Sequence, residues 1–125
     1  MTVYSSVIQP LAAELGISCG HAGEIFGPRR IINDIYSAIT FAKVVVAELT
    51  GRNANVFYEL GIAHEQEKPV VMLTQDINDV PVDVRDIRTV VYEWGEVPDI
   101  GALADKLRPN LTAALRVGAT RSSAA

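Results

Sequence analysis

Short continuous runs of apolar residues punctuate this chain and indicate strands that are buried on both faces. Runs of roughly four to eight aliphatic residues without polar alternation are typical of parallel strands inside an α/β fold. Three such runs lie in the central and later parts of the sequence: Val44–Ala47, Val70–Leu73 and Thr89–Tyr92. A shorter candidate strand, Ile17–Cys19, precedes them. The pattern therefore predicts a mostly parallel sheet.

Apolar stripes at helical spacing fill the segments around these runs. Residues three or four apart share one face of a helix, so each stripe predicts an amphipathic helix. The predicted helices are Tyr4–Leu15, Arg29–Ala42, one that Asn53 or Asn55 caps and that ends near Glu67, and one that Asp99 caps and that ends at Leu115. Pro10 is expected to kink or break the first helix and Pro109 to interrupt the last, because proline lacks the N–H that a helix interior needs.

Two buried strands joined by a helix predict a right-handed βαβ unit across Val44–Leu73. The fold class we expect is α/β, a small flavodoxin/Rossmann-like three-layer sandwich with a mostly parallel sheet. A length of 125 residues suits one domain, which we place at residues 1–117. Small and polar residues from Gly118 onward predict a flexible tail at residues 118–125.

Composition narrows the classes of function. The chain is 49% hydrophobic and 21% charged, as in globular proteins, and its net charge of −4 argues against a nucleic-acid partner. No apolar run reaches the roughly 20 residues of a membrane span, and no signal peptide is visible. Cys19 is the single cysteine, which we expect to be a small core residue of a cytoplasmic protein. No Gly-rich phosphate loop points to a cofactor.

Glu59 is the candidate with the clearest positional argument. It falls in the first or second turn of the predicted third helix, three residues after Val56 and four before Ala63. It should therefore point toward the carboxyl end of the sheet, where open α/β sheets bind ligands. A helix N-terminus also favours an ionised carboxylate. Position alone leaves two interpretations open: a site residue, or a glutamate that only complements the helix dipole.

The sequence around Glu59 resembles the nucleoside 2-deoxyribosyltransferase superfamily, especially its bacterial nucleotide-binding, TIR-like branch. The resemblance covers roughly Val7 to Glu93. It rests on N-V-F-Y-E-L-G-I-A-H followed by K-P-V-V-M-L, and on I-I-N-D-I-Y-S-A-I, A-E-L-T-G-R-N and D-V-P-V-D-V-R. It implies a protein that cleaves the base–sugar N-glycosidic bond of a nucleoside, a nucleotide or, by analogy with TIR domains, NAD, by transfer or by hydrolysis.

The resemblance also implies roles for individual residues. Glu59 matches the carboxylate that attacks or stabilises the anomeric carbon, and Asp34 matches the acid that protonates the leaving base. Arg52, Asn53 and Asn55 are the expected substrate-binding residues. Asn53 stands where the transferases typically carry aspartate, and an amide cannot donate a proton as an acid does, so transfer is less well supported than hydrolysis or binding.

A second departure concerns the sheet. Superfamily members normally begin with a strand ahead of the first helix, whereas this sequence begins directly at that helix. We expect either a truncated version of the fold, with an incomplete pocket, or a sheet that a partner completes. Because exposed edges invite pairing with another chain, the expected state is a homo-oligomer. The alternative function is a non-catalytic nucleotide-binding or TIR-like interaction module. The expected small-molecule partner in either case is a nucleoside or nucleotide, with no metal.

Overall fold

The computed structural model describes residues 2–20, 32–84 and 87–124. Its helical segments are a π-helical turn at Tyr4–Ile8 followed by α1 (Gln9–Glu14), α2 (Ile32–Phe41), α3 (Ala54–Glu65) and α4 (Ile100–Ala124). Its strands are β1 (Val45–Glu48), β2 (Val70–Thr74) and β3 (Thr89–Val91). Short 3-10 turns at Ile77–Asp79 and Val82–Val84 lie between β2 and β3. The helix start predicted at Arg29 lies outside the described residues.

The three strands form one parallel sheet in the order β1-β2-β3. The register aligns Val45 with Val70 and Met72 with Thr89. Every residue of the central strand β2 is buried, as its continuous apolar run predicts. The predicted α/β fold with a parallel, Rossmann/flavodoxin-like sheet is therefore confirmed. Among the described residues β1 pairs only with β2, which leaves its outer edge without a strand there.

Two apolar cores cover the two faces of the sheet, because successive strand residues point to opposite sides. The first core joins the sheet to the N-terminal helical segment and α4 through Val7, Leu11, Val71, Leu73, Val90, Tyr92, Leu103, Leu107, Leu111 and Ala114. The second joins the sheet to α2 and α3 through Ile35, Ile39, Ala47, Leu49, Leu60, Ala63, Val70, Met72 and Val80. The molecule therefore has helix, sheet and helix layers.

Pro10 marks a change of helix type, in agreement with the predicted break. The residues before it form a π-helical turn, in which the Gln9 N–H bonds to the Tyr4 carbonyl five residues back. Pro10 is then the second residue of α1, where its ring holds φ near the helical value. Pro10 thus lies directly after the junction between the two helix types.

Ile17–Cys19 does not form a strand, so that prediction is wrong. Gly16 takes a positive φ of 72° and ends α1, with the Gly16 N–H on the Ala13 carbonyl and the Ile17 N–H on the Ala12 carbonyl. This pair of bonds is a Schellman motif, which turns the Ile17 N–H back toward the helix. Cys19 is exposed, and its predicted place in the core is also wrong.

The last helix continues through Pro109 to Ala124, beyond the predicted end at Leu115, so the expected interruption is wrong. A proline inside a helix costs about 3 kcal/mol. Packing outweighs that cost because α4 buries Leu103, Leu107 and Leu111, and each buried leucine contributes about 1.5–3 kcal/mol. Asp99 caps the first turn as predicted, accepting the Ala102 N–H at 2.9 Å. No helix in the described ranges is both long and apolar enough to cross a membrane.

Candidate functional site

Polar side chains gather where the three parallel strands end. Glu48 is the last residue of β1, Thr74 is the last of β2, and Tyr92 directly follows β3. The carboxyl ends of parallel strands lie at one edge of the sheet, which is the edge where open α/β folds bind ligands. We call Glu48, Thr50, Gln75 and Tyr92 the strand-end cluster.

Glu48 is the centre of the strand-end cluster. Its Oε1 accepts hydrogen bonds from the backbone N–H of Thr50, at 2.8 Å, and from the Thr50 hydroxyl. Its Oε2 accepts a hydrogen bond from the Tyr92 hydroxyl. The Thr50 Oγ1 in turn accepts the backbone N–H of Gln75 at 2.9 Å. One carboxylate therefore connects the ends of all three strands.

Tyr92 is suited to remain a hydrogen-bond donor. Its side chain belongs to the first apolar core, and the residue is only 4% exposed. Burial raises the pKa of the Tyr92 phenol well above its usual range, and the hydrogen bond to Glu48 raises it further. The edge of its ring meets the half-buried Trp94 at a centroid distance of 6.4 Å. The phenol therefore keeps its proton at physiological pH.

The turn between β1 and α3, which runs from Thr50 to Asn53, is anchored by the loop after β2. The Asp79 carboxylate accepts the Gly51 N–H at 2.9 Å and the Arg52 Nε–H at 3.1 Å. Arg52 Nη2 also donates to the Asn78 carbonyl at 2.8 Å. Two consecutive residues, Gly51 and Arg52, have positive φ values of 81° and 56°. A non-glycine residue in this region costs about 1–2 kcal/mol, so the contacts with Asp79 hold a strained turn.

The predicted phosphate-binding side chain of Arg52 is consequently already paired. Its side chain is 64% exposed, whereas that of Asp79 is 17% exposed. The guanidinium can still meet solvent and ligands, but a bound phosphate would have to share it with Asp79 or displace that carboxylate.

Asn53 caps α3, as the turn chemistry predicted. Its side-chain oxygen accepts the Asn55 N–H at 2.9 Å. Both asparagine side chains are exposed beside the start of α3. The Asn53 oxygen is used by the cap, so its amide nitrogen is the group best placed to meet a ligand. Substrate binding by Asn53 and Asn55 remains a prediction.

Glu59 lies in the second turn of α3 and is half-buried. Its Oε1 atom is shielded from solvent. Leu60 and Ala63, on the adjacent helix positions, are buried in the second core, so Glu59 flanks the face of α3 that packs on the sheet. The carboxylate is therefore not directed straight into water, as its position on the helix predicts. A role for Glu59 as a site residue remains a prediction.

Asp34 does not join this arrangement. It lies in the first turn of α2, is exposed, and makes no hydrogen bond or ion pair with the described residues. Helices α2 and α3 pack against each other, so the two predicted carboxylates sit on neighbouring helices. The role of Asp34 as an acid remains a prediction that no contact in the described structure supports.

Sequence reasoning missed Glu48 and Tyr92. Glu48 could have been found from its position, because it is a charged residue at the end of an apolar strand. A charge at that point is expected at the edge of the sheet rather than in the core. Nothing in the sequence marked Tyr92 as a polar site residue, because it ends an apolar run and is fully accounted for as a core residue. The hydrogen bond between them joins residues 44 positions apart.

The described residues also form a cleft away from the strand ends. A shallow cleft of about 460 Å³ lies at the opposite edge of the sheet, where β2 and β3 begin, and is lined by Pro69, Val70, Ile87, Arg88, Ala114 and Val117. It is remote from the strand ends, and its lining residues in the described part of the chain include no carboxylate. In the described part of the chain no group of three or more His, Cys, Asp or Glu residues is arranged to hold a metal ion.

Comparison with known proteins does not assign this chain to a family. No protein-family model, no curated protein and no solved structure matches this chain. The function must therefore be argued from the residues at the carboxyl edge of the sheet and from the motif around Glu59.

Proposed function

We propose that this protein cleaves the base–sugar N-glycosidic bond of a nucleoside or nucleotide, with Glu59 as the reacting carboxylate. The observation that carries the proposal is the half-buried carboxylate of Glu59 in the second turn of a helix that starts at the carboxyl edge of a parallel sheet. The resemblance of the surrounding motif to nucleoside 2-deoxyribosyltransferases supplies the reaction class.

The chemistry suits a partly desolvated carboxylate. As the bond from C1′ to the base nitrogen breaks, positive charge develops on the sugar ring, and a carboxylate stabilises it or attacks C1′ to form a glycosyl ester. The departing base takes a proton, for which Asp34 is the predicted donor. Water then attacks C1′ in hydrolysis, or a second base attacks it in transfer. The C1′–oxygen bond to Glu59 breaks, the Glu59 carboxylate is released, and the proton lost by the attacking group returns to the predicted acid, Asp34. Hydrolysis is the simpler proposal because Asn53 replaces the aspartate typical of transferases.

The residues at the start of α3 favour a substrate that carries a phosphate. Arg52 brings a guanidinium beside a helix N-terminus, and both features attract anions. Asn53 and Asn55 add exposed amides next to it. We therefore place the phosphate of a nucleotide near Arg52 and its sugar toward Glu59.

A second candidate function is a non-catalytic nucleotide-binding or assembly module. The outer edge of β1, which carries no strand among the described residues, favours it, because such an edge can pair with another copy of the chain. A homo-oligomer that binds a nucleotide without turnover would use the same residues at the start of α3.

Base release distinguishes the two functions. The purified protein is incubated with deoxynucleosides, nucleoside monophosphates and NAD, and the products are separated by chromatography. A free base from any of them supports the glycosidase, and addition of a second base then separates transfer from hydrolysis. Binding of a nucleotide without release, followed by quenching or shift of the fluorescence of Trp94, the only tryptophan, supports the binding module.

A further inference from the structure

We propose that Glu48, Thr50 and Tyr92 are positioning residues: together they hold the turn before α3 in the arrangement that lets Arg52 and Asn53 meet a nucleotide. This inference rests on the proposed function and identifies the residues that hold the nucleotide-binding turn in place. None of the three residues was expected to have a role.

The hydrogen bonds of Glu48 indicate that it positions Thr50 rather than contacting a ligand itself. Both of its carboxylate oxygens accept hydrogen bonds from protein donors: Oε1 from Thr50, and Oε2 from the Tyr92 hydroxyl. Glu48 also projects toward the face that carries Val46 and α4, whereas Glu59 lies on α3 at the opposite face. The carboxylate of Glu48 is therefore occupied in holding Thr50 and is not aimed at the reacting sugar.

The turn depends on anchors at both of its ends. On one side Asp79 holds Gly51 and Arg52, and on the other side Glu48 and the Gln75 N–H hold Thr50. Between these anchors the backbone passes through two consecutive residues with positive φ. Unfavourable φ values persist only where surrounding contacts enforce them. Loss of the Thr50 anchor should therefore let the turn relax and move Arg52 and Asn53.

Tyr92 makes the anchor on Glu48 rigid. Its ring is fixed in the first core, so its hydroxyl reaches Glu48 from a side chain with little freedom. Burial and the hydrogen bond raise the pKa of the phenol, which keeps the donor present at physiological pH. The anchor thus links the position of the turn to the packing of α4 on the sheet.

Threonine 50 provides a matched pair of variants. Thr50→Val keeps the shape of the side chain and removes the hydroxyl that bonds Glu48 and Gln75, whereas Thr50→Ser keeps the hydroxyl. Tyr92→Phe removes the second donor, and Tyr36→Phe, at an exposed tyrosine on α2, is its control. The probe is the nucleoside monophosphate that gives the fastest base release with the wild-type protein.

We expect Thr50→Val and Tyr92→Phe each to raise KM for that monophosphate about tenfold, because each variant loses a hydrogen bond to the Glu48 carboxylate, with a smaller change in kcat. Thr50→Ser and Tyr36→Phe should keep the wild-type KM. Hydrogen–deuterium exchange, measured without substrate, should show faster exchange of the Thr50 and Gln75 amides in Thr50→Val and Tyr92→Phe only.

The outcomes separate this inference from the proposed function. A wild-type protein that releases base, with an unchanged KM in both Thr50→Val and Tyr92→Phe, overturns the positioning role alone. Faster amide exchange with an unchanged KM has the same meaning, because the contacts are then merely structural. Absence of base release from the wild-type protein overturns the proposed function and this inference together.

Discussion

The Tyr92 hydroxyl, just past β3, donates a hydrogen bond to the Glu48 carboxylate at the end of β1, across the full width of the three-stranded sheet. The pair fixes the two outer strands relative to each other at the carboxyl edge of the sheet. It also places a buried phenol and a carboxylate in direct contact, which makes the stability of the fold sensitive to alkaline pH.

The raised pKa of Tyr92 determines the direction in which alkaline pH changes the free energy of unfolding. Folding raises the pKa of its phenol, so the folded state holds this proton more tightly than the unfolded state. The stabilisation is fully present below the unfolded pKa of about 10 and is lost as pH rises above it. The free energy of unfolding, measured with urea, should fall above that pH with a slope from Tyr92 of up to about 1.4 kcal/mol per pH unit. Tyr92→Phe should lack this component, and Tyr36→Phe should retain it; equal slopes in wild type and Tyr92→Phe would contradict the prediction.

Two glycines should respond with opposite sign to the same substitution. Gly16→Ala places a side chain at φ +72° and should lower the free energy of unfolding by about 1–2 kcal/mol. Gly61→Ala lies inside α3 at an exposed position where an added methyl meets no atom within 4 Å, and it should raise stability by about 0.5–1 kcal/mol. Urea denaturation of both variants measures the two changes in the free energy of unfolding. A stabilising Gly16→Ala would mean that α1 does not end in a Schellman motif.

Pro109→Ala tests whether α4 is continuous. Position 109 is exposed, and alanine would restore an N–H to the helix interior. We expect the free energy of unfolding to rise by about 1–3 kcal/mol, since proline is the least favourable residue in a helix interior. Urea denaturation measures the change. A destabilised Pro109→Ala protein would indicate that the chain breaks at this residue instead.

The βαβ centre of the fold was predictable because its signals are local. Continuous apolar runs mark β1 and β2, and an asparagine cap marks the start of α3. The strand predicted at Ile17–Cys19 is absent because a strand needs a partner to pair with, and a run of three residues does not specify one. Pro109 predicts a helix break because helix propensity is a local property, whereas the burial of Leu107 and Leu111 depends on tertiary packing.

The candidate site was predictable only in part for the same reason. The position of Glu59 follows from helical periodicity and from the turn that precedes it. The contacts of Glu48 with Tyr92, and of Arg52 with Asp79, join residues 44 and 27 positions apart and follow no periodic pattern. The pairing of Arg52 therefore could not be anticipated from its own turn.

Arg52 should distinguish nucleotides from nucleosides. If its guanidinium holds a phosphate, Arg52→Ala should raise KM for a nucleoside monophosphate about tenfold, because a charge-assisted hydrogen bond is lost. The same variant should leave KM for the matching nucleoside nearly unchanged, which controls for any disturbance of the turn. Steady-state kinetics with both substrates measures the two effects. An equal rise in both KM values would place the phosphate elsewhere.

The comparison of Glu59→Gln with Glu65→Gln is the most direct test of the proposed reaction. Both changes neutralise one carboxylate on α3, but Glu65 is exposed at the C-terminal end of the helix. Free base released from deoxynucleosides, nucleoside monophosphates and NAD is quantified by chromatography for both variants and the wild type. A Glu59 glycosidase predicts release that Glu65→Gln retains and Glu59→Gln abolishes, while nucleotide binding, followed by Trp94 fluorescence, persists. Equal release by both variants would contradict the role of Glu59, and no release from the folded wild type would contradict the reaction itself.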